Sequence, residues 1–270
     1  MIFDLPVLLL NTILLRPYVF TFLAAFLLAG RMLLGWRRTS LFLLISWMTA
    51  FVCEFASTRV GVPFGDYYYT GSTVGQELYI ANVPFMDSLS FTFLLFGSYC
   101  VALVFVLPST NGPREHRLSL IFDPVVRTSP AVLGLTALFH TFIDVVIDPV
   151  ALRGDRWFLG SIYGYPRPGL YFGIPLANFA GWTTVAVIAL TVYFAVDRRL
   201  PPRGGDHRCS TPMKGLLFGC ALYYAALIFS LGVTFWIGEA FLGMVGVMLY
   251  IPPTVLLVLR LLNRLPAPAA

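Results

Sequence analysis

About seven apolar stretches, each roughly 20 residues long, follow one another along this chain and leave few folds open to it. A helix of that length reaches across a hydrocarbon core of about 30 Å. The stretches lie near residues 17–35, 39–56, 84–107, 130–150, 174–196, 214–235 and 239–260. Strand-type alternation is missing, and in lipid each backbone N–H and C=O must be satisfied within its own segment or in a closed barrel. The expected fold class is therefore all-α: a polytopic membrane bundle of about seven helices, forming a single integral-membrane domain over residues 1–270. Only 11% of the residues are charged, where a soluble domain carries about a quarter. The segment before Arg16-Pro17 is too short to cross alone, so it is expected in the interface or as an extension of the first helix.

The net charge of +5 raises the question of nucleic acid, but the basic residues are divided among short loops. That distribution serves membrane orientation, and no nucleic-acid partner is expected. Arg31, Arg37, Arg38, Arg114, Arg117, Arg127, Arg198, Arg199, Arg203, Arg208, Lys214, Arg260 and Arg264 all fall on one side of a seven-span arrangement. Arg16, Arg59, Arg153, Arg156 and Arg167 are left for the other side. The positive-inside rule makes the first side cytoplasmic, with the N-terminus outside, the C-terminus inside and the cell (cytoplasmic) membrane as the expected location. Among the acids, Glu115, Asp123, Asp197 and Asp206 sit beside the cytoplasmic arginines, and the rest map to the opposite half. Cys53, Cys100, Cys209 and Cys220 form no CxxC pair, so neither a disulfide framework nor a thiolate zinc site is indicated. No basic n-region with a small-residue cleavage site opens the chain, and no cleaved signal peptide is expected.

The fourth stretch ends "HTFIDVVIDPVA", with His140, Asp144 and Asp148 at steps of four. Such positions drift by only about 80° around a helix and climb about 12 Å, so they form one polar stripe. An aspartate in that setting needs a partner, water, or a proton that keeps it neutral, and a neutral carboxylic acid can act as a general acid. The plainer reading makes His140 a helix–helix hydrogen-bonding group and Asp148 an interfacial residue before a helix-ending Pro149.

Two loops rich in Gly, Pro and aromatic residues, near 57–83 and 151–173, lie on the same side as the stripe. In "EFASTRVGVPFGDYYYTG", Glu54 is a catalytic candidate or simply the partner of Arg59, and Asp66 can position a water. Tyr67, Tyr68 and Tyr69 suit an interfacial aromatic belt, or the lining of a site where positive charge develops beside aromatic faces. In "WFLGSIYGYPRPGLYFGIPLANFAGW", Trp157, Tyr171 and Trp182 continue the aromatic pattern, while Asn178 can satisfy Asp144 across helices or orient a water.

Walker loops, strand-borne GxGxxG, HExxH, DDxxD and a hydrolase serine elbow are missing from the sequence. With three histidines, a multi-histidine iron site is not expected, and the chemistry is expected to use protons and water without a metal or cofactor. Gly215 and Gly219 form a GxxxG, which in membrane helices marks close packing. Acids inside spans also fit a proton-coupled transporter, although no relay of acids continues toward the cytoplasmic side.

"EFASTRVGVPFGDYYYTG", "DVVIDPVA" followed by Trp157, and "YFGIPLANFAGW" resemble the integral-membrane carotenoid biosynthesis family, which includes carotenoid 1,2-hydratases. The matching blocks run from about Glu54 to Trp182. The resemblance implies addition of water across the terminal C1=C2 bond of an acyclic end group, in a substrate such as lycopene or γ-carotene. Its implied surroundings are membrane lipid and other enzymes of the pathway. Such chemistry suits Asp144 as acid with His140 or Glu54 tuning it, Asp148 or Asp66 positioning water, and the aromatic residues with Asn178 binding the substrate. A cyclase using the same first protonation, or a carotenoid-binding protein without turnover, fits the same blocks.

Overall fold

A computed structural model describes residues 5–109, 120–201 and 210–262. Arg114, Glu115, Arg117, Arg203, Asp206, Arg208, Cys209 and Arg264 lie outside the described residues. Among the described residues eight α-helices account for the apolar stretches: α1 (Leu5–Leu15), α2 (Pro17–Leu33), α3 (Trp36–Val60), α4 (Phe85–Val106), α5 (Pro130–Ala151), α6 (Leu176–Asp197), α7 (Ser210–Trp236) and α8 (Ala240–Leu261). Six are long and apolar enough to cross a membrane, and α1 with α2 supplies a seventh if that bent pair is one span. The protein is a multi-pass, all-α membrane bundle.

The first helix does not extend the second. They meet at 92° at the Arg16-Pro17 junction, where proline supplies no N–H to continue the ladder. Thr12 on α1 is buried and its hydroxyl accepts from Leu78 N at 2.8 Å, while Val7, Leu10 and Leu14 are exposed. That arrangement matches a helix lying flat at the interface.

Helix α4 is apolar on all sides and takes the centre, touching α2, α3, α5, α7 and α8. Within its membrane-length window 83% of residues are buried, against 28% for α8, which therefore faces lipid. Near one end, α7 closes tightly on α2 and α4. A Cβ at Gly215 would stand 2.5 Å from Leu33 N, and one at Gly219 would stand 2.2 Å from Cys100 Sγ. Near the opposite end the same helices present Tyr18, Phe22, Phe93, Ala226 and Phe229 to a cavity.

Charges cap both ends. Asp197, closing α6, pairs with Arg38 and Arg127, each at 2.6 Å. Arg260 donates to the carbonyls of Val104 and Leu107, satisfying the C-terminus of α4. At the other end Arg16 pairs with Glu77 at 2.9 Å, and Arg153 and Arg156 pair with Glu239.

Although strand patterning is missing, four two-residue strands occur at this loop-rich end: β1 (Tyr68–Tyr69), β2 (Tyr79–Ile80), β3 (Val83–Pro84) and β4 (Tyr163–Gly164). Strands β2 and β3 pair locally, whereas β1 pairs antiparallel with β4, tying the two long loops together. The first loop begins at Gly61, whose φ of 70° lets the chain leave α3 in a left-handed turn. Helix α5, by contrast, does not end at Pro149 but runs to Ala151.

Candidate active site

A cavity of about 140 Å³ opens beneath the paired loops, between α2, α3, α4, α5, α6 and α7. A single buried water needs only roughly 10–15 Å³, so an apolar end group and a water fit together. Its wall toward α2 and α7 is largely apolar and aromatic, with the hydroxyls of Tyr18 and Ser230 among the lining groups, and its wall toward α3, α4, α5, α6 and the loops carries carboxyl, amide and phenol groups.

On the α5–α6 side the helical stripe sets Asp144 one turn from Asp148. Asp144 is fully buried behind the cavity wall, while Asp148 lines it. Asn178, in the first turn of α6, donates its Nδ2 to Asp144 Oδ2 at 3.0 Å and to Asp148 Oδ2 at 2.5 Å. The two carboxyls also lie within hydrogen-bonding reach of each other. Asp144 Oδ1 has no partner.

Across the cavity, the last turns of α3 and the first of α4 bring in Glu54 and Asp87. The β1 loop places a phenol between them. Tyr69 Oη donates to Asp87 Oδ2 at 2.7 Å, and Glu54 lines the cavity beside them. Tyr67 Oη donates to Tyr69 Oη at 3.3 Å. Glu54 Oε2 is buried without a partner. Burial pushes the phenols of Tyr67, Tyr69, Tyr163 and Tyr165 well up, so in their loops they are neutral hydroxyls with intact aromatic faces.

Among the described residues Glu54, Asp87, Asp144 and Asp148 form no ion pair, although the charge of Arg16 acts on Asp87 from a distance. The described ion pairs employ Glu77, Asp197 and Glu239 instead. Arg59 does not pair with Glu54; it donates to Phe55 O and Asn82 Oδ1 and stacks over the Phe55 ring. Two uncompensated carboxylates side by side in a dry site are costly.

Of the residues singled out in the sequence, Glu54, Asp148, Tyr67, Tyr69, Trp157, Asn178 and Trp182 line the cavity. Asp144 stands directly behind them. His140 lies a turn deeper, fully buried between Trp182 at 4.7 Å and Phe91 at 5.8 Å, with neither ring nitrogen hydrogen-bonded. Asp66 is exposed beside Gly61, and Tyr171 packs on Phe172 and Phe179; the structure brings neither into the cavity. Asp87, Phe91, Tyr163 and Tyr165 line it although the sequence pattern does not single them out. Asp87 carries the same signal as Asp144, an acid in an oily run, but its place near the start of a span also suits a plain interfacial residue.

Fold and cavity define a multi-pass membrane protein with a carboxyl- and phenol-lined apolar pocket at one end of its helix bundle. Comparison with known sequences adds the family: the chain belongs to the carotenoid biosynthesis protein family, whose model matches residues 7–252. Over 173 residues it is 27% identical to the bisanhydrobacterioruberin hydratase of Haloarcula japonica. That match covers 64% of this chain and 50% of the relative, so the chain spans about half the length of the curated relative it matches. No solved structure matches the chain.

Proposed function

We propose that the protein is a carotenoid 1,2-hydratase of the cell membrane, adding water to the terminal C1=C2 bond of an acyclic carotenoid end group such as that of lycopene or γ-carotene. The observation that carries this reading is the set of carboxyl groups, in no ion pair among the described residues, around a largely apolar aromatic cavity. Protonating an isolated trisubstituted alkene requires a strong acid away from bulk water, and the tertiary cation that forms requires aromatic faces and a held water. The relative's name as a hydratase supports the same class of reaction.

In this reading the Asp144–Asp148 pair holds the proton. Asp148, which lines the cavity, delivers it to C2, and Asn178 stabilises the carboxylate left behind by donating to it. Trp182, stacked on Phe91 with centroids 4.3 Å apart, and the ring of Tyr163 lie along the wall where the cation at C1 develops. Water forms the C1–O bond, giving a tertiary alcohol. The polyene chain leaves along the apolar wall of α2 and α7 toward lipid. His140, buried among aromatic rings, positions Trp182 and does not itself move protons.

The test is to express the chain in membranes that accumulate lycopene or γ-carotene and weigh the pigment. A gain of one water is expected. An isomer of unchanged mass would identify a cyclase, and unchanged pigment would leave binding or transport as the function. Asp148→Asn is expected to lower hydration by about 10²-fold or more.

A further inference from the structure

The two carboxyl pairs differ in the group that bridges them. Asp144 and Asp148 share the Nδ2 of Asn178, which donates to both. An amide nitrogen has hydrogens to give but no lone pair with which to take a proton. Glu54 and Asp87 flank the hydroxyl of Tyr69, which donates to Asp87 at 2.7 Å. A phenol oxygen can accept one proton while passing on its own. Glu54 adds a carboxyl group to the same wall of the cavity, outside any ion pair among the described residues. A carboxylate that lines the cavity is suited to hold one hydrogen of a water.

We propose that Tyr69 and Asp87 are the proton-accepting arm of the site, taking the proton from the water that captures the cation. The inference rests on the hydratase reading and divides its labour across the cavity. The C2–H bond forms with a proton from the Asp144–Asp148 pair, leaving the tertiary cation at C1. A water held by Glu54 then forms the C1–O bond. Its O–H breaks toward the Tyr69 oxygen as Tyr69 passes its own proton to Asp87. Nothing is oxidised or reduced. The acid pair has lost one proton and Asp87 has gained one, and transfer back through cavity water resets the site. Tyr67, whose hydroxyl donates to Tyr69, positions that hydroxyl and is not itself in the path.

Deuterium separates the two arms. Membranes holding the wild-type protein and an acyclic carotenoid are incubated in heavy water. The wild type is expected to give the hydrated pigment with deuterium bound at C2; if it adds no water, the hydratase reading fails before the arms are compared. Tyr69→Phe and Asp87→Asn leave the acid in place, so protonation still occurs and reverses. Each is expected to hydrate at least about 10²-fold more slowly while the recovered alkene acquires carbon-bound deuterium. Asp148→Asn is expected to lose both hydration and exchange. All variants are compared at equal amounts of protein that elutes as a single species in detergent. Hydration by Tyr69→Phe or Asp87→Asn within about threefold of wild type would overturn the proposal. Joint loss of hydration and exchange in these folded variants would also overturn it, since it would assign Tyr69 and Asp87 to the acid step or the scaffold.

Discussion

Asn178 reaches from α6 to Asp148 on α5 with a donor–acceptor distance of 2.5 Å, and the same nitrogen serves Asp144 one turn away. One uncharged side chain thus holds two acids that form no ion pair among the described residues. A hydrogen bond to a charged group contributes about 1.5–3 kcal/mol. Asn178→Leu is therefore expected to lower hydration by roughly 10- to 100-fold at equal folded protein. Pigment mass ratios over time measure it, and wild-type turnover in this variant would remove Asn178 from the site.

Arg16 ties the α1–α2 corner to both loops, donating to Glu77 through Nε and Nη2 and to Leu159 O through Nη1. Both members of the ion pair are almost wholly buried. Arg16→Met strands a carboxylate and is expected to cost about 3–5 kcal/mol, whereas Arg16→Met with Glu77→Leu restores much of that loss. Denaturant unfolding in detergent checks the order; equal losses in the single and double variants would contradict it.

Gly181 lets the first loop settle on α6. A Cβ there would stand 2.2 Å from Phe64 Cδ1 and 2.8 Å from Phe64 Cα, just upstream of Tyr67 and Tyr69. Gly181→Ala is expected to cost about 1–3 kcal/mol and to lower turnover by displacing that loop. Gly134→Ala, with nothing within 4 Å of the added carbon, is the matched control: inside helix α5 it should leave turnover unchanged and stability unchanged or raised by up to about 1 kcal/mol.

Partial burial pushes the Glu239 carboxyl up, but hydrogen bonds and charge from Arg156 and Arg153 outweigh it and hold the group below the ordinary glutamate range. A lowered folded-state value means the pairing stabilises the protein above the unfolded value, near pH 4.5, and is lost as pH falls through the folded one. Melting temperature is expected to fall on acidification through that window, and Glu239→Gln should reduce the fall. A variant with the wild-type slope would place the acid sensitivity elsewhere.

From the charges at the two ends of the bundle we propose that the loop-rich end faces outside and the opposite end the cytoplasm. On intact cells, in a background with Cys209 replaced by serine, a membrane-impermeant thiol reagent should label Ser72→Cys and spare Arg199→Cys. Both positions are exposed, while Cys53, Cys100 and Cys220 are buried. The reverse labelling pattern would invert the topology.

Each of the long apolar stretches is legible in the residues alone, and the helices keep those limits to within a few residues, α3 and α7 excepted. The stripe of Asp144 and Asp148 is equally legible because four residues make roughly one helical turn. Asp87 is not, since an acid near a span boundary has a simple interfacial explanation. Asp66 shows the converse: a polar residue beside the right tyrosines, turned outward by the Gly61 corner. Tyr163 and Tyr165 are hidden in a loop whose pairing partner lies about 95 residues earlier in the chain, a contact no local pattern encodes.

The sequence by itself determined that this chain crosses a membrane as helices and roughly where each begins. Lipid leaves the backbone only helices or a closed barrel, strand-type alternation is missing, and apolar length is written residue by residue. Only the tertiary structure decided that Tyr69 meets Asp87 on the wall that Glu54 also lines, while Asp144 and Asp148 share an amide. That outcome depends on how each helix is rotated about its axis. A helix oily on every side carries little record of its rotation; packing at Gly219 and Gly181 and the joining of β1 to β4 set it.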